Sequence, residues 1–167
     1  LKALGADVER NLRAPLAGIA HTAKESGQTP PDITVDIRSG DTPARERRQL
    51  ISNPPDILLT TPESLYLMLT SAARSTLTGV TTVIVDEVHA LAGTKRGAHL
   101  AVSLERLDQL VDRPVQRIGL SATVNPPEAV ATFLGGVHPV KIVARQVPKR
   151  WDLRLSVPVQ DMAALGG

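Results

Sequence analysis

The segment Val83-Ile84-Val85-Asp86-Glu87-Val88-His89 places two adjacent carboxylates directly after a run of β-branched residues. Such a run predicts a short buried strand, and the carboxylates mark the point where it ends. The same order of apolar strand, small polar tip and helix start occurs at three other places in the 167-residue chain. The four predicted strands are 33–38, 57–59, 83–85 and 118–120, and their tips are 39–42, 60–61, 86–89 and 121–123.

Helices are predicted between these strands. Proline opens several of them, because its missing amide costs nothing at the first helical position, and the expected N-caps are Thr42, Thr61 and Asn125. The predicted helices are 5–19 (kinked or broken at Pro15), 43–51, 62–72, 97–110 and 128–134. Short apolar strands alternating with helices indicate an α/β domain with a mostly parallel sheet and helices on both faces. Ligands of such folds bind at the carboxyl ends of the strands, where the polar tips lie.

The composition fits a folded domain and excludes several kinds of site. Hydrophobic residues make up 42% and charged residues 22% of the chain. Cysteine is absent from the sequence, which excludes disulfides, thiolate metal sites and cysteine nucleophiles, and the four histidines lack the paired spacing of a zinc site. Aromatic residues are only 2%, which disfavours proteins that stack single-stranded bases on aromatic platforms. The net charge of +2 is by itself no argument for nucleic acid, and no apolar segment approaches the roughly 20 residues of a membrane span.

The polar tips carry the candidate chemistry. One of the carboxylates Asp86 and Glu87 could hold a Mg²⁺ ion while the other orients a water molecule, and on this segment alone two solvated carboxylates are an equally open alternative. The tips at Thr42 and Thr61 could bind phosphate with hydroxyls and free helix amides. Taken alone, ordinary helix capping is the favoured interpretation of those two tips.

In their order and content the tips resemble the first RecA-like domain, of P-loop NTPase type, of superfamily-two helicases. Residues 86–89 match a DExH box, with Thr60-Thr61-Pro62-Glu63-Ser64 before it and Ser121-Ala122-Thr123 after it. Residues 1–4 are similar to the end of motif Ia, and residues 38–42 to the tip between motifs Ia and Ib. Residues 95–107 are similar to the segment that follows the DExH box in the Lhr, or large helicase-related, family.

The resemblance implies ATP and Mg²⁺ as cofactors. Asp86 would hold Mg²⁺ on ATP, and Glu87 would activate the hydrolytic water. His89 would link the nucleotide site to Ser121 and Thr123, which couples hydrolysis to domain movement.

The resemblance also implies single-stranded DNA as the partner. Arg96 would add a further contact to the DNA backbone or to a second domain, and a solvated helix start is the alternative. The residues that would contact the phosphates of the tracking strand are Lys2, Gly40, Asp41, Thr42 and Thr61.

The function implied is that of a cytoplasmic ATP-dependent DNA helicase or translocase, without a membrane partner, that unwinds duplexes or RNA–DNA hybrids. Two alternatives stay open. One is a non-catalytic nucleic-acid-binding module derived from a helicase domain. The other is an unrelated Mg²⁺-dependent hydrolase, which is disfavoured because a two-metal site needs more converging ligands than one tip supplies.

No Gly-x-x-x-x-Gly-Lys-[Ser/Thr] phosphate loop occurs in the sequence. In the family this loop precedes motif Ia, so we expect residues 1–144 to be a first RecA-like domain truncated at its N-terminus. Residues 145–150 are then a basic linker, and residues 151–167 the start of the second RecA-like domain, which is the partner of the first. The isolated chain is expected to lack nucleic-acid-stimulated ATPase activity, to bind ATP weakly or not at all, and to be aggregation-prone or marginally stable. Strand residues such as those at 57–59 are expected to be partly exposed.

Overall fold

The computed structural model describes residues 2–122, 124–144 and 152–153, with side chains from residue 11 onward. The predicted strands and helices are all present in it, with ends shifted by a few residues. The strands are β1 (Val35–Arg38), β2 (Ile57–Thr60), β3 (Thr82–Val85) and β4 (Gln116–Gly119). The helices are α1 (Lys2–Glu25), α2 (Ala44–Ser52), α3 (Pro62–Leu69), α4 (Val88–Leu91), α5 (Lys95–Val111) and α6 (Pro127–Gly135), with a 3₁₀ helix at Ala72–Leu77.

The strands pair in parallel, as predicted. In one ladder Val35 of β1 lies opposite Ile57 of β2, and in the other Thr82 of β3 lies opposite Gln116 of β4. Each ladder joins the strands on either side of a helical crossover, which parallel pairing requires. Within the described residues the four strands therefore form two two-stranded sheets rather than one continuous sheet. The carboxyl ends of the paired strands meet, so their polar tips lie side by side.

The core is aliphatic, as the low aromatic content predicts. It lies where α3, α5 and α6 pack against the inner face of β3 and β4. Met68 of α3 and Leu104 of α5 are each 1% exposed at its centre. Burying one such side chain contributes about 1.5–3 kcal/mol. This packing holds α3 against α5 and thereby orients the tip that precedes α3.

The opposite face of β3 and β4 is open to solvent in the part of the chain that the structure describes. Alternate residues of a strand point to opposite faces, so Val85 is buried while Ile84 is 61% exposed. Ile118, which lies opposite Ile84 in the ladder, is also exposed. Helices thus cover one face of this ladder. In β2, residues 57–59 were expected to be partly exposed, and the structure shows them half-buried.

Two of the three predicted N-caps are wrong. The N-cap of α2 is Pro43 rather than Thr42, and that of α6 is Pro126 rather than Asn125. The Thr42 hydroxyl instead accepts from the Ser39 amide and donates to the Ile37 carbonyl, so it is directed toward the end of β1 rather than to the amides of α2. Thr61 caps α3 as predicted, and its hydroxyl accepts from the Ser64 amide.

Two helices differ from their predicted extents. α1 continues through Pro15 without a break, since a 24-residue helix tolerates the loss of one internal hydrogen bond. α3 ends at Leu69 instead of reaching residue 72, because the Thr70 hydroxyl bonds back to the Tyr66 carbonyl and competes with the next turn. None of the described helices combines the length and apolar character that crossing a bilayer demands.

Candidate active site

The DExH segment forms a sharp turn at the end of β3. Both carboxylate residues, Asp86 and Glu87, are exposed. The Glu87 amide donates to Asp86 Oδ1 at 2.9 Å, and Glu87 adopts a left-handed conformation with φ of 47°. This conformation is uncommon for residues other than glycine, and positions of this kind cluster at functional sites. The turn therefore presents two adjacent carboxylates to solvent directly before α4.

The turn is joined to the end of β4 by backbone hydrogen bonds. The Leu120 amide donates to the Val85 carbonyl at 2.9 Å, and the Val88 amide donates to the Leu120 carbonyl at 3.0 Å. These bonds place Ser121 beside the start of α4. The two tips that follow β3 and β4 are thus one structural unit.

His89 lies at the centre of this unit. Its Nδ1 atom is 3.2 Å from Ser121 Oγ and 3.5 Å from Glu87 Oε2, and its side chain is 30% exposed. The structure therefore brings together three of the residues predicted for catalysis and coupling. Thr123, predicted with them, lies outside the described residues.

The carboxylates fit a Mg²⁺–nucleotide site in which the protein supplies few ligands. Magnesium keeps several waters and phosphate oxygens, so one carboxylate is a sufficient protein anchor. Asp86 is exposed at the carboxyl end of a parallel strand, where such ligands bind. Within the described residues, no group of three or more His, Asp or Glu side chains is arranged so that it could hold a metal ion.

A second pair of tips, at the ends of β1 and β2, carries four of the five predicted DNA contacts. The Thr60 hydroxyl donates to the Arg38 carbonyl at 2.8 Å and ties these tips together. Gly40 and Asp41 are exposed, whereas Thr42 is buried. The Thr42 hydroxyl accepts from the Ser39 amide and donates to the Ile37 carbonyl, so its hydrogen bonds are internal.

Arg47 of α2 holds the tip at residues 39–42 in place through hydrogen bonds. Its guanidinium donates to the Thr42 carbonyl and to the Gly40 carbonyl, each at 2.7 Å. Arg38 lies nearby, and its pKa is lowered by burial and by the charge of Arg47. Of Lys2, the fifth predicted DNA contact, the structure describes only the backbone, which lies in α1.

Two ion-pair sites were not predicted from the sequence. Arg96 contacts Glu63 in a two-point geometry, with Nε to Oε1 at 2.5 Å and Nη2 to Oε2 at 3.1 Å. Hydrogen bonding to Arg96 lowers the pKa of Glu63 to about 2, so Glu63 is ionised at neutral pH. Arg96 was expected to contact DNA or a second domain, or to be solvated, and the structure gives it this partner within the chain.

The second ion-pair site is built around Arg117 of β4. Its side chain is 6% exposed and donates to Glu105 Oε1 at 2.9 Å and to Asp108 Oδ2 at 2.6 Å. It also donates to the Leu134 carbonyl at 3.1 Å. The network fixes the end of α6 to α5 and β4. No local pattern predicts it, because the partners lie 9 to 17 residues from Arg117 in the sequence.

Comparison with known proteins identifies the family. The description DEAD/DEAH box helicase belongs to the family model that matches residues 6–131. The chain belongs to the DEAD/DEAH box helicase family. Within it, the chain is 67% identical over 165 residues to the Lhr helicase/probable uracil glycosylase of Mycolicibacterium smegmatis, covering 99% of the chain and 11% of the relative. It is 60% identical over 162 residues to the Lhr helicase/uracil glycosylase of Escherichia coli, covering 97% of the chain and 10% of the relative.

Solved helicase structures share the fold. Helicase Lhr of Mycobacterium smegmatis bound to ssDNA and AMP-PNP matches with a TM-score of 0.86 and 66% identity, over 100% of this chain and 22% of that one. The DUF1998 helicase MrfA bound to DNA and AMPPNP matches with a TM-score of 0.67 at 24% identity, over 87% of this chain and 19% of that one, which shows the fold alone. The resemblance to a RecA-like domain of the Lhr type is confirmed. The chain spans about a tenth of the length of these two curated relatives.

Proposed function

We propose that this chain is part of an ATP-dependent DNA helicase or translocase that couples ATP hydrolysis to movement on single-stranded nucleic acid and to duplex unwinding. The observation that carries the proposal is the contact of His89 with both Glu87 and Ser121, which joins a DExH carboxylate to the tip after β4. The similarity to an Lhr structure bound to ssDNA and AMP-PNP supports both ligands.

ATP and Mg²⁺ would bind at the turn after β3. Asp86 would anchor Mg²⁺, which supplies charge neutralisation on the phosphates when bound. Glu87 would orient the attacking water and accept its proton. The left-handed φ of Glu87 and the hydrogen bond from its amide to Asp86 fix the turn that carries both carboxylates, which supports this assignment.

His89, Ser121 and Thr123 would transmit the state of this site to the second RecA-like domain. A change at Glu87 shifts the contact between Glu87 and His89, and His89 passes the shift to Ser121. The division into residues 1–144, a basic linker at 145–150 and the start of the second domain at 151–167 belongs to this proposal. Residues 145–151 and 154–167 lie outside the described part of the chain.

Single-stranded DNA would cross the tips that follow β1 and β2. The N-terminal end of α3 at Thr61 carries the positive end of the helix dipole, which suits a phosphate, and the exposed Gly40 and Asp41 lie at the same end of the ladder. Lys2 and Thr42 complete the proposed contact set. Contacts of this kind position the strand without reading its bases, which suits a motor that moves along any sequence. RNA–DNA hybrids are a second proposed substrate, and the cytoplasm is the proposed location.

The substitution Glu87→Gln in the intact protein that carries this chain tests the proposal. We expect ATP binding to persist and hydrolysis to fall by about 10²-fold or more, because the water loses its base while the metal anchor stays. Asp86→Ala should weaken Mg²⁺-dependent ATP binding as well. Near-normal turnover in Glu87→Gln would remove Glu87 from this role. A wild-type protein that binds single-stranded DNA without hydrolysing ATP would instead identify a non-catalytic binding module.

A further inference from the structure

The Glu63–Arg96 ion pair connects the first turns of α3 and α5. The two residues are 33 positions apart in the chain and meet through two N–H···O contacts. A two-point contact between guanidinium and carboxylate fixes relative orientation as well as distance. α3 and α5 also pack along the core through Met68 and Leu104. The ion pair therefore fixes the N-terminal ends of two helices that are already in contact further along.

On the α5 side, the pair is joined to the DExH turn. Thr94 caps α5 by accepting from the Gly97 amide at 2.9 Å, and its hydroxyl donates to the Leu91 carbonyl at 2.7 Å. Leu91 is the last residue of α4, which begins directly after Glu87. A Cβ atom on Gly97 would lie 2.0 Å from the Leu91 carbonyl oxygen, so the two helices abut with no space between them. A displacement of the DExH turn must therefore move the turn of α5 that carries Arg96.

On the α3 side, the pair is joined to the Thr61 tip. Glu63 follows the cap residue by two positions and lies in the first turn of α3. The Thr61 hydroxyl accepts from the Ser64 amide, and the Leu65 amide donates to the Thr61 carbonyl at 2.9 Å, so Glu63 lies within the turn that these two hydrogen bonds close. The orientation of Glu63 is thus linked to that of the residue proposed to contact DNA.

We propose that Glu63 and Arg96 are positioning residues that couple the ATP site after β3 to the DNA-contacting tip at Thr61. This inference rests on the proposed function. The path runs from Glu87 through α4 to Leu91 and Thr94, then through Arg96 and Glu63 to Thr61. It is distinct from the His89–Ser121 contact, which runs to the end of β4.

The exposure of the pair makes this role separable from folding. The side chains of Arg96 and Glu63 are 45% and 55% exposed. Ion pairs this accessible contribute little to stability, because solvent screens the charges and two long side chains lose freedom. A large effect on coupling with an unchanged thermal transition therefore reports positioning rather than unfolding.

The test is a double-mutant cycle in the intact protein with Glu63→Gln, Arg96→Gln and the double variant. The matched control is Arg106→Gln, which alters an exposed arginine of the same helix that lies over the Tyr66 ring at 5.6 Å. The readouts are the ratio of ATP turnover with and without single-stranded DNA, the Kd for that DNA, and the Tm. We expect each single variant to lower the turnover ratio about fivefold or more. The ratio in the double variant should be no lower than that in the single variants. The Kd is expected to stay within about twofold and the Tm within about 2 °C.

Several outcomes would overturn the inference. The ion pair would be a surface contact without a role in coupling if the turnover ratio were unchanged in both single variants. The same holds if Arg106→Gln lowered the ratio equally. Losses that multiply in the double variant show that the two residues act separately. A weaker Kd in Arg96→Gln alone makes Arg96 a direct DNA ligand. A wild-type protein without DNA-stimulated turnover refutes the proposed function itself and is recognised before any variant is compared. Partial recovery of the ratio in Arg96→Lys supports the inference, because the charge remains while the two-point geometry is lost.

Discussion

The Nδ1 atom of His89 lies 3.2 Å from the hydroxyl of Ser121, across 32 residues of sequence. The contact joins the turn after β3 to the tip after β4, and backbone bonds between Val85, Val88 and Leu120 hold the two tips in register beneath it. The two tips are thus connected both by backbone hydrogen bonds and by this one side-chain contact. Loss of the side-chain contact should alter communication between the tips while the strands stay paired.

We therefore expect Ser121→Ala in the intact protein to lower duplex unwinding more than ATP turnover. The backbone link persists, but His89 loses its partner at the end of β4, so each hydrolysis event produces less movement. The measurement is the number of ATP molecules consumed per duplex unwound, which should rise about tenfold or more. Ser121→Thr retains a hydroxyl and is the matched control. Equal losses of unwinding and turnover in Ser121→Ala would contradict a coupling role.

Thr61 offers a separate prediction, on DNA binding. Thr61→Val removes the cap of α3 and should cost about 1 kcal/mol of stability, whereas Thr61→Ser keeps the hydroxyl and the cap. If the α3 amides face phosphates, Thr61→Val should weaken single-strand binding about equally for all sequences, and wild-type affinity should fall steeply with salt. Binding of several oligonucleotides at a series of salt concentrations measures both effects. A loss confined to particular bases would show that the tip reads sequence.

The comparison with Thr42 refines this prediction. Thr42 is buried, and its hydroxyl is committed to Ser39 and Ile37. Thr42→Val should therefore disturb the shape of the tip at residues 39–42 before it removes any phosphate contact. Faster hydrogen exchange at the amides of this tip would accompany any loss of DNA binding in Thr42→Val, and would be absent in Thr61→Ser.

The sequence was sufficient to predict the strands and the positions of the polar tips. A run such as Val83-Ile84-Val85 is β-branched throughout, and burial of one face requires it to pair as a strand. The position of the tips at the strand ends follows from local patterns and one general rule of topology. The link between His89 and Ser121 came only from the resemblance to superfamily-two helicases, and the structure places these two side chains in contact.

The remaining features depend on contacts that a single sequence does not reveal. The Thr42 hydroxyl could cap α2 or bond to Ser39, and the outcome depends on how Arg47 holds the tip. The partner of Arg96 lies 33 residues away on another helix. The two-ladder arrangement likewise depends on which edges are paired, and the strand pattern alone does not specify edges.

Arg117 carries a prediction on stability. Its guanidinium is almost fully buried and neutralises Asp108, whose side chain is 15% exposed. Arg117→Met should cost about 3 kcal/mol, because it leaves a nearly buried carboxylate without its cation. Hydrogen exchange of the intact protein should show faster exchange in α6 and β4, since Arg117 also binds the Leu134 carbonyl at the end of α6. Arg113→Gln, at an exposed position shortly after α5, is the control and should leave exchange unchanged.

Gly97 carries the last prediction, which links packing to hydrolysis. Alanine is favoured over glycine within a helix by about 1 kcal/mol, so propensity alone predicts that Gly97→Ala is stabilising. Packing predicts the opposite, because the new Cβ atom would lie 2.0 Å from the Leu91 carbonyl oxygen and 3.2 Å from the Phe133 ring. The nearest atom belongs to the backbone, so α4 itself must shift, at a cost of about 1–3 kcal/mol.

Because α4 begins directly after Glu87, this shift should also displace the proposed catalytic base. We expect Gly97→Ala to lower ATP turnover in the intact protein about tenfold or more while ATP binding changes little. The control is Gly79→Ala, where a Cβ atom would meet nothing within 4 Å. Faster hydrogen exchange confined to α4 and the start of α5 in Gly97→Ala would locate the shift. Unchanged turnover together with that local change would show that the position of α4 does not govern the carboxylates.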